Sequence, residues 1–315
     1  MGKYILRRLV AMGVTLFIIV SMAFIVVRLM PGSVYDNPEY SLETIRALEA
    51  KAHLDRPMIV QYYYYLKGVL FEGDWGVSVK LAPSVPVFDV IKDRIPVSMY
   101  LNLISLAISL PLGVLAGTVA ALNKSRMPDY IISFLVVICI SVPSFVFAAL
   151  MQYGLSFKMG WFPILYAVSA APGEKLYSMV LPVLALSFGP IATVTRYLRG
   201  ELIETVSSEY MLLARTKGLT KYQATARHAF RNSLVPLANI IIPMFTGILG
   251  GSLVVERIFS IPGIGGTMIE SVNTSDHFLT VAVLLLYSVI SLATILIVDI
   301  SYGIIDPRIR LGGDK

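Results

Sequence analysis

Six long runs of apolar residues dominate the chain and limit what it can fold into. The hydrocarbon core of a bilayer is about 30 Å thick, so a helix that crosses it needs roughly 20 apolar residues. Each run reaches that length, and charged residues within the runs are few. The runs cover residues 9–30, 97–122, 130–153, 179–198, 234–255 and 279–303. The sequence therefore predicts an all-α polytopic membrane protein with six transmembrane helices.

Composition agrees with a membrane protein. Hydrophobic residues make up 56% of the 315 residues and charged residues 15%, against about 25% charged residues in a typical soluble domain. The first apolar run follows basic residues, as in a signal peptide, but it is longer than the apolar part of a signal peptide. It also ends in Met30-Pro31-Gly32 without a small-residue cleavage site. We interpret it as an uncleaved first span.

The distribution of basic residues predicts the orientation. Cytoplasmic loops of membrane proteins carry an excess of lysine and arginine. In a six-span topology the basic segments fall on one side, which places both termini in the cytoplasm and residues 31–96 outside. The net charge of +6 thus indicates topology and not nucleic-acid binding. The basic residues on the inner side are Lys3, Arg7, Arg8, Lys124, Arg126, seven from Arg196 to Arg231, Arg308, Arg310 and Lys315.

The segment of residues 31–96 predicts a small ordered external domain between helices 1 and 2, in preference to a flexible linker. Within it, "SLETIRALEAKAHL" indicates a short helix with Ser41 as N-cap and Thr44 at the third helical position. The following "RPMIVQYYYYLKGVLFEGDWG" indicates a second amphipathic helix that ends at Gly73. Both helices have apolar faces that need cover, which favours an ordered domain.

The basic stretch "EYMLLARTKGLTKYQATARHAFRNSLVP" predicts two helices around a turn. Gly218 can take the left-handed conformation that ends a helix, and Thr220 with Gln223 has the spacing of a capping box. Apolar residues after the turn form one predicted stripe. They are Leu219, Tyr222, Ala226, Phe230 and Leu234. The stretch is either a basic loop that lies on the anionic inner leaflet or a rigid element that docks on a cytoplasmic partner.

This stretch resembles the cytoplasmic EAA loop of ABC-importer permeases, and in particular the peptide/nickel branch. Leu212 stands where the wider superfamily has glutamate, a departure that the branch shares. Other segments resemble the same branch in the same order along the chain. They are "ILRRL", "MPG", "LDRPMIVQYYYYLKGVLFEGDWGVS", "ERIFSIPGIG" and "DPRIR". The chain resembles the first of the two paired permeases of a dipeptide or oligopeptide importer.

The resemblance implies a type I ABC importer permease fold in the inner membrane of a prokaryotic cell. It divides the chain into residues 1–30, 31–96, 97–303 and 304–315, with a cytoplasmic coupling loop at 208–233. The implied partners are a second related permease, two ATPase subunits and an extracytoplasmic substrate-binding protein. The implied ATPase-coupling residues are Leu213, Ala214, Arg215, Thr216, Lys217, Gly218, Leu219, Thr220 and Lys221. Nickel chelates, glutathione and oligosaccharides remain alternative solutes to peptides.

The sequence predicts a transport subunit and not an enzyme. It contains no G-x-x-x-x-G-K-[ST] phosphate-binding loop, so ATP and magnesium are expected in the partner ATPases and no cofactor is expected in this chain. Its single cysteine, Cys139, and its three histidines lack metal-ligand spacing. An ion-driven carrier would need ionisable groups near mid-membrane. Glu256 and Asp299 lie at span ends, so we interpret them as capping or snorkelling groups and not as a proton relay.

The segment "ERIFSIPGIG" suggests a second functional region. Its residues 262–266 predict an outer turn, and the resemblance places the segment in the external loop that faces the binding protein and the outer gate. Both interpretations stay open for Phe259, Pro262, Gly263, Ile264 and Gly265.

Two further groups of residues lie inside the predicted spans. The glycines predict close helix packing or a hinge, and the prolines predict kinks. They are Gly247, Gly250 and Gly251, and Pro143, Pro182, Pro190 and Pro243.

Overall fold

The computed structural model of the chain describes residues 2–29, 34–35, 40–246, 248 and 252–305. Helices make up most of these ranges. The α-helices are α1 (Gly2–Leu29), α2 (Leu42–Lys51), α3 (Met58–Lys67), α4 (Val87–Leu122), α5 (Met127–Ser141), α6 (Ser144–Met151), α7 (Pro172–Ser178), α8 (Val180–Val206), α9 (Glu209–Thr216), α10 (Lys221–Ala224), α11 (Phe230–Thr246), α12 (Leu253–Ile258), α13 (Ile264–Asn273) and α14 (His277–Ile305). Gly68–Glu72, Gln152–Lys158 and Thr225–Ala229 are π-helical, and β1 (Val77–Ser78) pairs with β2 (Val85–Pro86) as an antiparallel hairpin.

Some features predicted from the sequence lie outside the described residues. They are the Met30-Pro31-Gly32 segment, Gly247, Gly250, Gly251 and the tail from residue 306 onward.

Four of the predicted spans are present as long apolar helices. Within the described residues, α1, α4, α8 and α14 are long and apolar enough to cross a membrane. They correspond to the predicted first, second, fourth and sixth spans. Two of them extend beyond their apolar runs: α4 begins at Val87, ten residues before Val97, and α8 continues past Leu198 to Val206. Helices longer than the bilayer core project from it, since each residue adds about 1.5 Å.

The predicted third span is not one continuous helix. The run is divided into α5 and a second part formed by α6 and the π-helical segment after it, and the two parts are bent by 97° relative to each other. Val142 at the break has extended backbone angles, with φ −95° and ψ 121°. Pro143 explains the break, because it lacks an N–H and disfavours helical angles in the residue before it. The predicted kink at Pro143 is thus a sharp bend.

The predicted fifth span is also shorter than its apolar run. The helix α11 ends at Thr246, and Ser252 has extended angles (φ −121°, ψ 104°) as the N-cap of α12. Residues 234–255 therefore do not form one helix. The other predicted kink positions leave their helices continuous: α8 runs through Pro190 and α11 through Pro243. Pro182 lies in the first turn of α8, where proline is tolerated.

Small residues at four-residue spacing join α4 to α8. Oγ of Ser105 lies 3.1 Å from Oγ of Ser187, and Ser109 Oγ donates to the Ser187 carbonyl over 3.2 Å. One and two turns further on, a Cβ placed on Gly113 or Gly117 would lie 2.8 Å from Val194 or 2.9 Å from the carbonyl oxygen of Thr195. Close packing of small residues is a usual means of helix association in membranes. It fixes α8, which also packs against α5, α6 and α11.

The helices α1 and α14 pack against each other in opposite directions. Arg8 near the start of α1 forms a 2.9 Å ion pair with Asp299 near the end of α14. At the other end, the Arg28 guanidinium lies 5.5 Å from the ring centre of Phe278. The start of α1 and the end of α14 thus lie at the same end of the molecule. Asp299, interpreted as a capping or snorkelling group, is an ion-pair partner.

The segment between α1 and α4 is ordered where it is described. Ser41 Oγ accepts a hydrogen bond from the Thr44 N–H over 3.2 Å, which confirms the predicted N-cap. Gly73 has φ +66° and ends the second helical stretch as predicted. Neither α2 nor α3 contains a fully buried residue. The segment contacts the second half of α1, as in the 5.2 Å contact of the Tyr62 and Phe24 rings.

A buried carboxylate attaches the hairpin to the start of α14. Asp276 is fully buried, and its Oδ2 accepts from Ser78 Oγ over 2.6 Å. The same oxygen accepts from the backbone N–H groups of Val79, Lys80 and Leu81 over 3.0–3.1 Å. Successive N–H groups in a turn form a concave site for an anion. The hairpin is thus held on the end of the helix bundle.

Candidate functional site

The predicted helix-turn-helix after α8 is confirmed in its local geometry. Gly218 follows α9 with φ +93°, a region that side chains with a Cβ rarely adopt. The Thr220 N–H donates to Gln223 Oε1 over 3.1 Å, and the Gln223 N–H donates to Thr220 Oγ1 over 3.3 Å. This reciprocal pair is the predicted capping box. The turn between α9 and α10 therefore has a defined shape.

The apolar stripe predicted after the turn differs from the buried face. The buried residues are Ala224, Thr225, Ala229, Ser233 and Leu237, while Ala226 is exposed. Of the predicted stripe, Leu219, Phe230 and Leu234 are half-buried, and the side chain of Tyr222 lies outside the described part. The π-helical turn Thr225–Ala229 explains the difference. It adds a residue to one turn and so rotates the face that meets α8.

The helix α9 has one buried face and one exposed apolar face. Met211 and Ala214 are buried against Leu198 and Leu202 of α8. On the other side, the exposed fractions of Tyr210, Leu212 and Leu213 are 41%, 65% and 57%. We call the exposed set the tip surface; it consists of Tyr210, Leu212, Leu213, Arg215 and Lys217. A compact apolar group that is exposed beside polar residues is typical of an interaction site.

The nine predicted coupling residues divide between the two faces. Ala214 is buried and Leu219 half-buried against α8, so these two position the turn. The side chain of Lys221 lies outside the described part. The remaining six are exposed: Leu213, Arg215, Thr216, Lys217, Gly218 and Thr220. Tyr210 and Leu212 are exposed beside them but were not among the nine predicted residues. The three-residue spacing of Met211 and Ala214 could have identified this exposed face.

The charge of the tip surface is positive. In the described part of the chain, Arg215 and Lys217 form no ion pair and are exposed. Arg215 in the last turn of α9 also meets the negative end of the helix dipole favourably. The surface therefore combines apolar side chains with cations that are free to pair with acidic groups on a partner.

A second cluster surrounds the buried carboxylate of Glu256. Its Oε1 accepts from Ser98 Oγ over 2.7 Å and from the Ser252 N–H over 3.1 Å. Its Oε2 accepts from the Gly266 N–H over 3.0 Å, and Ser98 Oγ accepts from the Ile264 N–H over 2.9 Å. Glu256 thus caps the first turn of α13 and joins it to α4 and α12. The interpretation of Glu256 as a capping group is confirmed.

The segment predicted as an outer turn is partly helical. The helix α13 begins at Ile264, so only residues 262–263 precede it. A Cβ on Gly263 would lie 2.4 Å from Glu256 Oε2, and a Cβ on Gly265 would lie 2.8 Å from the backbone carbon of Ser252. The glycines are therefore required because the buried carboxylate and the backbone of α12 approach α13 closely. Sequence periodicity misses a helix this short with glycines in its first turn.

The five predicted gate residues are mostly buried. Phe259, Gly263, Ile264 and Gly265 are buried, and Pro262 is half-buried. The Phe259 carbonyl accepts from the Tyr166 N–H over 2.9 Å, which joins the segment to the loop after α6. These residues hold α12 and α13 against the bundle. The exposed positions beside them are Arg257 and Ser260.

Over the described ranges, no three His, Cys, Asp or Glu side chains are grouped to hold an ion.

Family models match nearly all of the chain. The model described as "Binding-protein-dependent transport system inner membrane component" matches residues 110–311, and the model of the corresponding N-terminal region matches residues 1–102.

Full-length relatives are similar to this chain. The dipeptide transport system permease protein DppB of Lactococcus lactis is 41% identical over 99% of this chain and 100% of its own length. DppB of Bacillus subtilis is 35% identical over 99% of both chains. The oligopeptide transport system permease protein OppB of Escherichia coli K12 is 36% identical over 98% of this chain and 100% of its own length.

Among solved structures, an inward-facing form of the MetNI methionine ABC transporter aligns with a TM-score of 0.48 and 14% identity. The alignment covers 68% of this chain and 96% of that chain.

Proposed function

Because the chain belongs to the family of binding-protein-dependent transport system inner membrane components, we propose that it is the permease subunit of an ATP-driven importer of di- and oligopeptides. A second related permease forms the other half of the path. Two ATPase subunits with ATP and magnesium bind on the cytoplasmic side, and an extracytoplasmic protein delivers the peptide.

The tip surface is the observation that carries this proposal. It places Leu212 and Leu213 beside Arg215 and Lys217, on a short helix that a left-handed turn and a capping box hold in shape. Apolar anchors surrounded by charge fit a groove in a partner protein. The nine predicted coupling residues then divide into those that contact the ATPase and those that keep the turn on α8.

The packing of the tip supports a route for mechanical coupling. Met211, Ala214 and Ala229 lie in one buried cluster with Leu198 and Leu202 of α8. Packed side chains in this cluster move together, since protein interiors are close-packed. A shift of the ATPases on nucleotide binding would thus move α8, and α8 packs against α4, α5, α6 and α11. The proposed motion changes access to the path between the two permeases.

We also propose six membrane crossings with both termini inside. The four long apolar helices supply four crossings, the bent pair of α5 and α6 a fifth, and α11 a sixth. The proximity of Arg8 to Asp299 supports termini on one side. Residues 31–96 would then lie outside, with the hairpin on the outer end of α14. The residues around Phe259 and Ile264 would form the support of the outer gate.

Cysteine labelling tests this topology. In a Cys139→Ser background, Ser84→Cys should react with a membrane-impermeant maleimide in intact cells, and Ser125→Cys should react only after permeabilisation. The two positions are well matched because both serines are exposed and have positive φ, at 67° and 61°. Labelling of Ser125→Cys and protection of Ser84→Cys in intact cells would reverse the proposed orientation.

Reconstitution tests the function itself. Proteoliposomes with both permeases, both ATPases and external binding protein should accumulate a labelled dipeptide when ATP is enclosed. This chain alone should give no uptake, because it has no phosphate-binding loop. Nickel chelates, glutathione and an oligosaccharide serve as competing solutes. Uptake by the single chain along an ion gradient would contradict the proposal of an ATP-driven importer. Preferential uptake of another solute would contradict the proposal that peptides are the transported solute.

A further inference from the structure

An ion pair joins α5 to α8 near the proposed cytoplasmic end. The Arg199 guanidinium donates from Nε to Asp129 Oδ1 over 2.5 Å and from Nη2 to Oδ2 over 2.8 Å. Asp129 is 2% exposed and also accepts from the Ser125 N–H over 2.9 Å. A two-point contact of this kind is strong and geometrically defined. The charge of Arg199 is thus matched, and its side chain is fixed.

A groove of about 450 Å³ lies between the same two helices. Ile132, Val136 and Ile140 on α5 give it an apolar wall, and α8 contributes Arg196 beside the fixed Arg199. Pockets that bind small molecules have this character: they are mostly apolar, with a few polar groups, and occupy about 300–1,000 Å³. The groove has room for one peptide end.

Arg196 is the unmatched charge in this groove. Throughout the part of the chain that the structure describes, it has neither an ion pair nor a hydrogen bond, and it is exposed. In the proposed topology it lies 16 residues after the start of α8, about 24 Å along the helix, and so in the inner half of the bilayer near the cytoplasmic end of the fourth span. Ionisable groups at such depth are costly and commonly mark a substrate pathway.

We propose that Arg196 is a transient binding site for the C-terminal carboxylate of the transported peptide, an assignment that rests on the proposed function. The planar guanidinium matches a carboxylate with two parallel hydrogen bonds. The apolar wall of α5 accepts side chains of different shapes, since it makes no directional contacts. Because Arg199 is already paired with Asp129, the charge available to the peptide is that of Arg196. The site holds a peptide on the inner half of the path, before release.

Transport of one tripeptide in two forms tests this site. The complete importer is reconstituted with Arg196→Gln or Arg196→Lys, and uptake is measured for the free acid and for the C-terminal amide. Each peptide is supplied at a concentration that saturates the binding protein, as measured directly. We expect Arg196→Gln to lower uptake of the free acid about tenfold and uptake of the amide less than twofold. Arg196→Lys should lower uptake of the free acid less, because lysine keeps the positive charge but lacks the two parallel N–H donors of the guanidinium.

A matched control removes a charge outside the groove. Arg126→Gln takes a cation from the exposed N-cap position of α5 and should leave both uptake rates unchanged. ATP hydrolysis stimulated by the binding protein should remain within about twofold for Arg196→Gln, since coupling at the tip surface is intact. If Arg196→Gln does not accumulate in the membrane, the ratio of free-acid to amide uptake in Arg196→Lys carries the test.

Two outcomes would overturn the inference. An equal fall for both peptide forms that disappears in vesicles of phosphatidylcholine without phosphatidylglycerol would assign Arg196 to the headgroup of an anionic lipid. Unchanged uptake of the free acid in Arg196→Gln would show that the groove does not bind the carboxylate. In both cases the wild-type importer still transports peptide, so the proposed function stands. Absence of peptide uptake by the wild-type importer would instead reject the proposed function and this site with it.

Discussion

Replacing Gly218 with valine is expected to reduce ATP hydrolysis stimulated by the binding protein at least about tenfold in the reconstituted importer. Gly218 has φ +93°, and the left-handed region disfavours a residue with a Cβ by roughly 1–2 kcal/mol, with a larger penalty for a β-branched side chain. A Cβ at Gly218 meets no atom within 4 Å. The penalty is therefore conformational, and the turn must change shape to relieve it.

The reshaped turn should weaken ATPase association without affecting insertion, because Gly218 contacts no membrane helix. Gly160→Val is the matched control: Gly160 has φ +67° and equally open surroundings, but lies in the loop after α6. It should show the same strain with normal coupling. Pull-down of the ATPases and stimulated hydrolysis measure both variants. If Gly218→Val is silent and Arg215→Gln with Lys217→Gln abolishes coupling, the loop rests on lipid and does not dock.

Replacing Glu256 with alanine should destabilise the contact of α13 with α4 and α12 and abolish uptake. The carboxylate is fully buried and accepts hydrogen bonds from Ser98 Oγ and from the N–H groups of Ser252 and Gly266. A buried donor left without an acceptor costs about 1–3 kcal/mol, and three donors lose theirs. Separation of α13 from α4 is the expected consequence. Thermal unfolding of the purified protein in nanodiscs, together with peptide uptake, gives the measurement.

Two further variants distinguish loss of the hydrogen bonds of Glu256 from loss of a negative charge. Glu256→Gln keeps one acceptor oxygen but brings an amide N–H₂ against a backbone donor, so its unfolding temperature should lie between those of wild type and Glu256→Ala. Glu270→Ala removes an acid from α13 whose 3.5 Å pair with Arg257 is largely exposed, and such pairs contribute little. It should resemble wild type. Equal stability of Glu256→Ala and wild type would show that the carboxylate does not hold α13.

The local structure of the tip could be predicted because its determinants are close in sequence. Gly218, Thr220 and Gln223 act within one turn of each other, and the structure has the predicted turn and cap. The buried face after Thr220 could not be predicted from a 3.6-residue period. The π-helical turn at Thr225–Ala229 rotates that face, and its register is defined by packing on α8.

The spans show the same division. Length and apolar composition located α1, α4, α8 and α14, since any helix that crosses a bilayer must meet the same requirement. The third and fifth runs are also apolar but are not single helices. An apolar composition indicates that a segment is compatible with lipid, but it does not indicate where a helix is interrupted. Pro143 was identified as a kink, but the 97° bend depends on how α6 packs against α8 and α12.

The sequence by itself determined the class of protein, the position of most membrane helices and the chemistry of the tip, because these follow from composition and from neighbours within a few residues. Only the tertiary structure decided which distant side chains meet. Ser98 and Glu256 are 158 residues apart and Asp129 and Arg199 are 70 apart, and no periodicity relates them. Helix packing brings these pairs together, because a buried carboxylate is stable only where hydrogen-bond donors lie beside it.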